Sequence, residues 1–384
     1  MTGHSIKDIV GQSRVSGCLS CGKCSAVCPI TKYETQVYAS PRLFIEKVLT
    51  GKEEEVWNDV LFQSCLTCER CEALCSSDVH FSEFIRDLRA EAFADGRAGP
   101  CTHGDAVKTW ARIMTDPGLR QNRLEWLAPD LKTSRDADIL FFTGCLPYYD
   151  VLFKHLGVEG VEIARNGLKI LNHFGIEPQV LSQEVCCGHD FLWQGEVETF
   201  RKLAALNLER LKSAKIKTII TTCPECAYTL KTDYPKYMGG HDFKVMHFSQ
   251  WLDAQVKEKG NPFKNRSDRP AVTFQDPCRL GRFQGIYEEP RHLLRNLGLT
   301  LKEMDSNRET ALCCGTSCWT HCGQTNKTIQ TQRLQQAKAT GSGLLVTACV
   351  KCQIHLRCAQ IGSKPEEGTD IAIQDLTTLL AECL

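Results

Sequence analysis

Ten cysteines of this chain form two sets with the same internal order. The first set has the spacing C-x40-CC-x35-CxxC and the second has the spacing C-x34-CC-x34-CxxC. The members are Cys145, Cys186, Cys187, Cys223 and Cys226 in the first set, and Cys278, Cys313, Cys314, Cys349 and Cys352 in the second. A tetrahedral zinc site uses four ligands, so five thiols leave one over. Two adjacent cysteines do not easily reach one corner of a cubane but can span two iron sites, which favours an opened iron–sulfur cluster.

Eight cysteines near the N-terminus repeat the run C-x2-C-x2-C-x3-C twice. They are Cys18, Cys21, Cys24 and Cys28 in the first motif, and Cys65, Cys68, Cys71 and Cys75 in the second. In bacterial ferredoxins with this run, the fourth cysteine of each motif ligates the cluster of the other motif. We therefore expect one [4Fe–4S] cubane on Cys18, Cys21, Cys24 and Cys75, and another on Cys65, Cys68, Cys71 and Cys28.

The composition of the chain argues against a disulfide framework as the reason for so many thiols. The chain has 384 residues, 23 of them cysteines, and its 46 basic and 46 acidic residues give a formal net charge of zero. Disulfide frameworks are typical of small secreted proteins, whereas the N-terminal segment lacks the apolar core of a signal peptide. No apolar run approaches the roughly 20 residues of a membrane helix. We expect a cytoplasmic protein, or one peripheral on the cytoplasmic face of a membrane, that does not bind nucleic acid.

Residues 1–100 are predicted to form an all-helical ferredoxin domain with two [4Fe–4S] clusters. Ser40 and Pro41 have the residue types of a helix start, and Gly51 is expected to end that helix. A second helix is predicted over residues 53–62. Ser82 is expected to cap a third helix that runs through residue 94. Helices, and not strands, are therefore expected to join the cysteine motifs.

The rest of the chain is predicted to contain a connector, residues 101–137, and one α/β unit used twice, residues 138–262 and 263–384. In each unit a buried strand ends at the first cysteine, a helix follows, and a second segment of strand leads to the CCG sequence. A polar helix and another buried strand then lead to the CxxC pair, which begins a helix. Such alternation predicts parallel α/β units with their ligands at the strand ends. Gly188 and Gly315, one in each CCG, let the backbone approach a cluster closely.

Together these residues resemble the D-subunit type of the heterodisulfide reductase family, in which a C-type helical ferredoxin is fused to a B-type double CCG domain. The resemblance covers nearly the whole chain. It implies two noncubane [4Fe–4S] clusters, one on each five-cysteine set, in addition to the two cubane clusters. It also implies that a disulfide lies between the noncubane clusters, that each supplies one electron, and that the ten cysteines of the two sets form the catalytic centre.

Two alternatives to a disulfide reductase remain open. Iron–sulfur subunits of lactate, glycolate and glycerol-3-phosphate oxidation systems are similar to this layout and pass electrons toward quinone without reducing a disulfide. Many of them lack cysteines from one CCG unit, and the ten cysteines retained here favour the disulfide reductase. A zinc scaffold without a redox role is the other alternative.

The sequence also predicts redox partners. It contains no GxGxxG motif after a strand, so the chain itself is not expected to bind a flavin or nicotinamide nucleotide. A flavoprotein of the heterodisulfide reductase A type, an electron-transfer flavoprotein or a membrane cytochrome b would supply or accept electrons. The expected substrate is a small disulfide or thiol.

Several residues near the cysteine sets have more than one interpretation. The spacing of Cys314, Cys318 and Cys322 is such that a helix would align them beneath the second cluster. There they would be extra ligands, redox thiols or buried cysteines without a chemical role. Arg279 and Arg282 either neutralise a cluster or an anionic substrate or lie in solvent. His189 and His321 are candidate proton donors or hydrogen-bonded structural residues. Three further cysteines stay unassigned, namely Cys101, Cys358 and Cys383.

Overall fold

The computed structural model describes residues 6–97, 99, 101–363 and 367–384. Residues 1–5, part of the segment on which the prediction of no signal peptide rests, lie outside this range. The predicted combination of a helical N-terminal part with parallel α/β units is confirmed. Within the described ranges, none of the helices has the length and apolarity needed to cross a membrane.

Short helices join the cysteine motifs of the N-terminal part, as predicted. They are α1 (Ile6–Gln12), α2 (Lys23–Val27), α3 (Pro29–Tyr33), α4 (Pro41–Leu49), α5 (Glu53–Trp57), α6 (Val60–Ser64) and α7 (Phe81–Ala94), and α8 (Ala106–Ile113) follows in the connector. The predicted start of α4 is confirmed, since the Ser40 hydroxyl accepts the backbone N–H of Leu43 at 3.3 Å. An aromatic core made of Phe44, Phe62, Phe81 and Phe84 holds these helices together.

Two helix predictions in this part were wrong. The helix expected over residues 53–62 is interrupted, because the Asp59 carboxylate accepts the Leu61 N–H at 2.7 Å and thereby starts a new helix, α6. Ser82 does not cap α7. It lies in the first turn, and its backbone N–H donates to the Glu72 carboxylate at 2.6 Å, so that a side chain from the second cysteine motif satisfies this turn.

The first α/β unit contains a three-stranded parallel sheet in the order β1 (Ile139–Phe141), β2 (Thr218–Thr221), β3 (Lys244–His247). Seven helices surround it: α9 (Leu146–Leu152), α10 (Gly160–His173), α11 (His189–Gln194), α12 (Val197–Ser213), α13 (Pro224–Tyr228), α14 (Tyr234–Met238) and α15 (Phe248–Lys259). Apolar strands buried on both faces, as in Ile219 and Ile220, are what parallel sheets covered by helices require.

The second unit repeats this sheet as β4 (Val272–Gln275), β5 (Leu344–Thr347) and β6 (Ala372–Asp375). Its helices are α16 (Glu288–Asn296), α17 (Gln324–Ala339), α18 (Val350–Ile361) and α19 (Leu376–Ala381). The strands predicted to lead toward each CCG are only single parallel bridges, Leu140 to Gln179 and Val272 to Leu301. The matching positions of these bridges support the internal repeat.

Shared hydrophobic cores fix the three parts against each other. One core combines Phe141 of the first sheet with Phe274 and Val346 of the second. Another joins Phe44 of the N-terminal helices to Leu345 of the second sheet. The N-terminal helices therefore share a core with the second α/β unit. The residue boundaries of the domains stay a prediction.

Candidate metal centres

The two N-terminal motifs form two neighbouring cavities lined by cysteines. One cavity is lined by Cys18, Cys21, Cys24, Cys71 and Cys75, and the other by Cys28, Cys65, Cys68 and Cys71. The fourth cysteine of each motif thus lies with the first cysteines of the other, which is the placement that crossed ligation needs. Burial raises the pKa of Cys28 to about 11 and that of Cys65 to about 12. Metal binding at these thiols would therefore release protons.

The five cysteines of the first set come together at the carboxyl ends of β1 and β2. The Sγ atoms of Cys145 and Cys186 are 3.7 Å apart, and those of Cys187 and Cys226 are 3.5 Å apart. Cys223 completes the set through a side-chain contact with Cys226. Cys145 and Cys223 each occupy the position before the first residue of a helix, α9 and α13, where backbone N–H groups favour negative charge.

The second set has the same order of contacts. Cys278 contacts Cys313, Cys314 contacts Cys352, and Cys352 contacts Cys349. Cys349 precedes α18, just as Cys223 precedes α13. The structure therefore brings each predicted set of five together and arranges the two alike.

The glycine of each CCG is required by its backbone conformation and by its surroundings. Gly188 has φ +85° and Gly315 has φ +87°, which is the left-handed region. A Cβ at Gly188 would lie 2.8 Å from Cδ2 of Phe200, and one at Gly315 would lie 2.6 Å from Cγ of Gln330. Both glycines thus turn the chain immediately after the paired cysteines, and a side chain would collide with the helix behind.

The donor chemistry of these four groups of cysteines fits iron–sulfur clusters. All of their thiols are free, and nearly all are buried or half-buried. Thiolates are the ligands of cubane clusters, and a group of five closely spaced sulfurs exceeds the needs of one tetrahedral ion. Whether each group holds a cubane or a noncubane cluster stays a prediction.

The second N-terminal motif lies against the second cysteine set. The guanidinium of Arg282 donates to the carbonyl of Cys68 and, at 2.9 Å, to that of Ala311, two residues before Cys313. Cys68 also shares a hydrophobic core with Cys313. The first set belongs to a different core, so the second set is the one next to the ferredoxin motifs.

Arg279 is buried, so the interpretation that it lies in solvent was wrong. It is 3% exposed and donates to the carbonyl of Thr67 at 2.7 Å and to its hydroxyl at 3.0 Å. Its guanidinium stacks over the rings of Trp193, at 4.0 Å, and Phe283, at 3.8 Å. Burial lowers the pKa of Arg279, but Cys278 and other nearby acidic groups outweigh it and raise that pKa, so Arg279 is a fixed positive charge beside the second set.

A buried ion group that was not predicted from the sequence lies between the two sets. The Lys351 ammonium contacts the carboxylate of Asp190 and that of Glu225, the latter at 2.5 Å. Burial disfavours the charge on Lys351, but the two carboxylates outweigh it and raise its pKa well above the usual value. Burial first, and then the neighbouring Asp190, raise the pKa of Glu225, because two carboxylates share one ammonium.

The internal repeat could have revealed part of this group. Glu225 is the third residue of Cys-Pro-Glu-Cys, and Lys351 is the third residue of Cys-Val-Lys-Cys. Equivalent positions of the two units therefore carry opposite charges, and the fold brings them into contact across the interface.

The two candidate proton donors have different environments. His189 is 2% exposed, its Nδ1 lies 3.0 Å from the Thr229 hydroxyl, and its Nε2 lies 3.3 Å from Nε of Arg279. Burial, reinforced by the charge of Arg279, holds its pKa well below the usual value. His321 is half-buried and lies in a surface cleft with Cys322. A proton-donor role for either residue stays a prediction.

The helix expected to align Cys314, Cys318 and Cys322 is absent from residues 311–323, all of which the structure describes. Cys318 and Trp319 have φ +53° and +55°, so the chain makes a left-handed turn there. Cys318 is buried in the core of the first set, within 4.8 Å of the donor atoms of His189 and Asp190. The prediction that it lies beneath the second cluster was therefore wrong.

Comparisons with known proteins identify both kinds of cysteine motif. Residues 139–231 and 272–357 match the cysteine-rich domain family, CCG, and residues 14–79 match the 4Fe-4S dicluster domain family. The D subunit of the dihydromethanophenazine:CoB--CoM heterodisulfide reductase of Methanosarcina barkeri is 26% identical, over 96% of this chain and 94% of its own length.

Two further relatives have other names. The B subunit of the fumarate reductase (CoM/CoB) of Methanothermobacter marburgensis is 27% identical, over 97% of this chain and 73% of its own length. A Bacillus subtilis protein named "Probable iron-sulfur-binding oxidoreductase FadF" is 29% identical, over 86% of this chain and 46% of its own length.

Proposed function

We propose that this iron–sulfur oxidoreductase subunit, which has two matches to the cysteine-rich CCG domain family and is similar to the D subunit of heterodisulfide reductase, reduces a small disulfide to thiols or forms one from them. The observation that carries this proposal is the completeness of both five-cysteine sets. Each set converges, and Cys223 of one set lies near enough to Cys349 of the other for its negative charge to contribute to raising the pKa of Cys349. A relay of electrons needs no such pair.

We further propose the ligands of four clusters. Two cubane clusters are assigned to the crossed sets of the N-terminal motifs, and two noncubane clusters to the two five-cysteine sets. When bound, such clusters exchange one electron each, so that two of them together supply the two electrons that cleave an S–S bond.

The side chains around the sets support this assignment. Arg282 and Arg279 join the second N-terminal motif to the second set, and their positive charges offset the negative charge of thiolate ligands there. The ion group of Lys351, Asp190 and Glu225 fixes the interface between the two sets. Buried charges at this interface place fixed dipoles next to the proposed reaction site.

An anaerobic dye assay tests the proposed reaction. The purified protein, with its clusters reconstituted, is mixed with reduced benzyl viologen and a series of disulfides, including the CoB–CoM heterodisulfide, glutathione disulfide and cystine. We expect disulfide-dependent oxidation of the dye, with loss of activity in the Cys145→Ser and the Cys278→Ser variants. Oxidation of the dye at the rate of a disulfide-free control for every disulfide would contradict the proposal.

A second candidate function is an electron relay within a dehydrogenase of the lactate, glycolate or glycerol-3-phosphate type. One observation favours it, namely the similarity to the Bacillus subtilis oxidoreductase. In that case the protein would copurify with a flavoprotein dehydrogenase and would transfer its electrons to a quinone analogue.

The proposed partners follow from the same reasoning. Since two of the relatives are named as subunits of larger enzymes, a redox partner subunit is expected. A flavoprotein of the heterodisulfide reductase A type, an electron-transfer flavoprotein and a membrane cytochrome b are the proposed candidates, and the proposed location is the cytoplasm or the cytoplasmic face of a membrane. Affinity purification of the tagged protein from its native cells identifies which partner it binds.

A further inference from the structure

A cleft of about 440 Å³ opens beside the second cysteine set. One wall is residues 101–103 of the connector, another is the chain from Thr316 into α17, and the third is α18. Its floor lies next to the set, because Cys314 Sγ is 4.0 Å from the carbonyl oxygen of Thr316. The cleft is therefore near the proposed clusters but lined by residues that none of them uses.

Thiols and imidazoles make up much of this lining. They are Cys101, Cys322, Cys358, His103, His321 and His355. Among the described lining residues, Lys327 carries a positive charge and none has a carboxylate side chain. Such a lining attracts an anionic molecule, accepts a neutral one and repels a cation.

Cys358 and Lys327 form the reactive pair of the cleft. Cys358 lies on α18 and Lys327 on α17, and the ammonium Nζ donates to Sγ at 3.1 Å. Both side chains are half-buried, so the sulfur can be reached from the cleft. The ammonium thus lies within hydrogen-bond distance of the sulfur that would attack a disulfide as its thiolate.

Two buried polar side chains that line the cleft have at least one polar atom without a hydrogen-bond partner among the described residues, which indicates a polar ligand. His355 is 5% exposed, lies one helical turn from Cys358 and makes no hydrogen bond with another described residue. Burial and the charge of Lys351 hold its pKa well below the usual value, so its neutral ring offers one donor and one acceptor. Gln330 is fully buried, and its Oε1 has no partner there, although its Nε2 donates to Thr316 at 3.1 Å.

We propose that this cleft binds a small disulfide and that Cys358 reacts with it by thiol–disulfide exchange. The Cys358 thiolate attacks one sulfur of the disulfide, a Cys358–S–S–R bond forms, the original S–S bond breaks, and the other half leaves as a thiolate that takes a proton from water. The electrons balance within the exchange, so no external oxidant or reductant is needed. This reaction does not depend on the proposed disulfide reduction at the clusters.

Labelling of the cluster-containing protein with glutathione disulfide tests the proposal. The reaction is run without oxygen, stopped with acid at several times, and followed by intact mass and by peptide mapping. We expect a single glutathionyl group on Cys358, added faster than on Cys101 or Cys322. Lys327→Gln should slow this addition roughly tenfold, whereas Lys327→Arg should retain most of the rate, since it keeps the positive charge.

Lys338 on the same helix offers a matched control, because its ammonium faces the exposed Asp370 and not the cleft. Lys338→Gln should leave the labelling rate unchanged. Labelling of Cys101 or Cys322 in preference to Cys358, the absence of any adduct, or an equal rate in Lys327→Gln would each overturn the proposal.

The Cys358→Ser variant separates this proposal from the proposed cluster chemistry. It should add no glutathionyl group in the cleft, while its iron content and its viologen-dependent activity stay measurable. Loss of iron from this variant would assign Cys358 to a cluster and overturn its role in exchange. Failure of the viologen assay in the parent protein, with labelling intact, would contradict only the proposed disulfide reduction.

Discussion

Replacement of Lys351 by methionine tests the interface between the two cysteine sets. Methionine has nearly the shape of the lysine stem but no charge, so the variant leaves the carboxylates of Asp190 and Glu225 without their shared ammonium. The three side chains are 6%, 11% and 14% exposed. Breaking a buried ion pair by removing one partner costs about 3–5 kcal/mol, because the remaining charge stays buried.

The expected change in melting temperature follows from the size of the protein. Unfolding entropy is about 2.1 cal/mol/K per residue, which for 384 residues amounts to about 0.8 kcal/mol/K. A loss of 3–5 kcal/mol should therefore lower the melting temperature by about 4–6 °C if the chain unfolds as one unit.

Circular dichroism of the anaerobic protein measures this change. The Lys351→Met/Glu225→Gln double variant should melt above Lys351→Met, because it removes the charge of one of the two carboxylates that have lost their ammonium. Lys338→Met, which removes an exposed lysine, should melt like the parent. Two results would refute the role given to this ion group. One is a Lys351→Met variant that melts within about 1 °C of the parent, and the other is a double variant that melts below Lys351→Met.

Three further changes test the CCG turn, the crossed ligands and a buried carboxyl. Gly315→Ala should lower the iron content, since its Cβ would collide with α17, whereas Gly240→Ala, with open space around it, should keep full iron; equal iron in both would contradict this. Cys28→Ser should give the same reduced-state EPR spectrum as Cys65→Ser if the fourth ligands are crossed, and a different spectrum if they are not. Burial raises the pKa of Asp375 to about 6. The unfolded chain therefore releases this proton at a lower pH than the folded protein does, and the protein loses stability as the pH rises from about 4 to 6. Asp375→Asn should therefore stabilise the protein by about 3 kcal/mol at pH 7.5 and about half as much at pH 5, and a gain independent of pH would be evidence against this reasoning.

The sequence was most informative where one local rule determines the structure. Ser40 and Pro41 start α4 as predicted, and the CxxC pairs at Cys223 and Cys349 begin helices after buried strands. The repeat also predicted two parallel sheets, because its strands are short, apolar and separated by helices.

The errors arose where tertiary contacts outweigh local spacing. Spacing alone suggested a helix through Cys318, but the segment packs its cysteine into the core of the first set and turns through a left-handed conformation. Ser82 has the residue type of a cap, yet Glu72 from a neighbouring turn takes over that hydrogen bond. The charges of Glu225 and Lys351 become informative only when the two units are placed face to face, which no single segment specifies.

The two five-cysteine sets are proposed to hold clusters that react with sulfur substrates. EPR of the oxidised protein, prepared with natural iron and with ⁵⁷Fe and mixed with coenzyme M or coenzyme B, tests this proposal most directly. We expect a new paramagnetic signal on addition of thiol that is broadened by ⁵⁷Fe and is retained in Cys18→Ser but lost in Cys145→Ser or Cys278→Ser. A protein with full iron and sulfide content that shows no response to any thiol or disulfide would contradict the proposal and favour the electron relay.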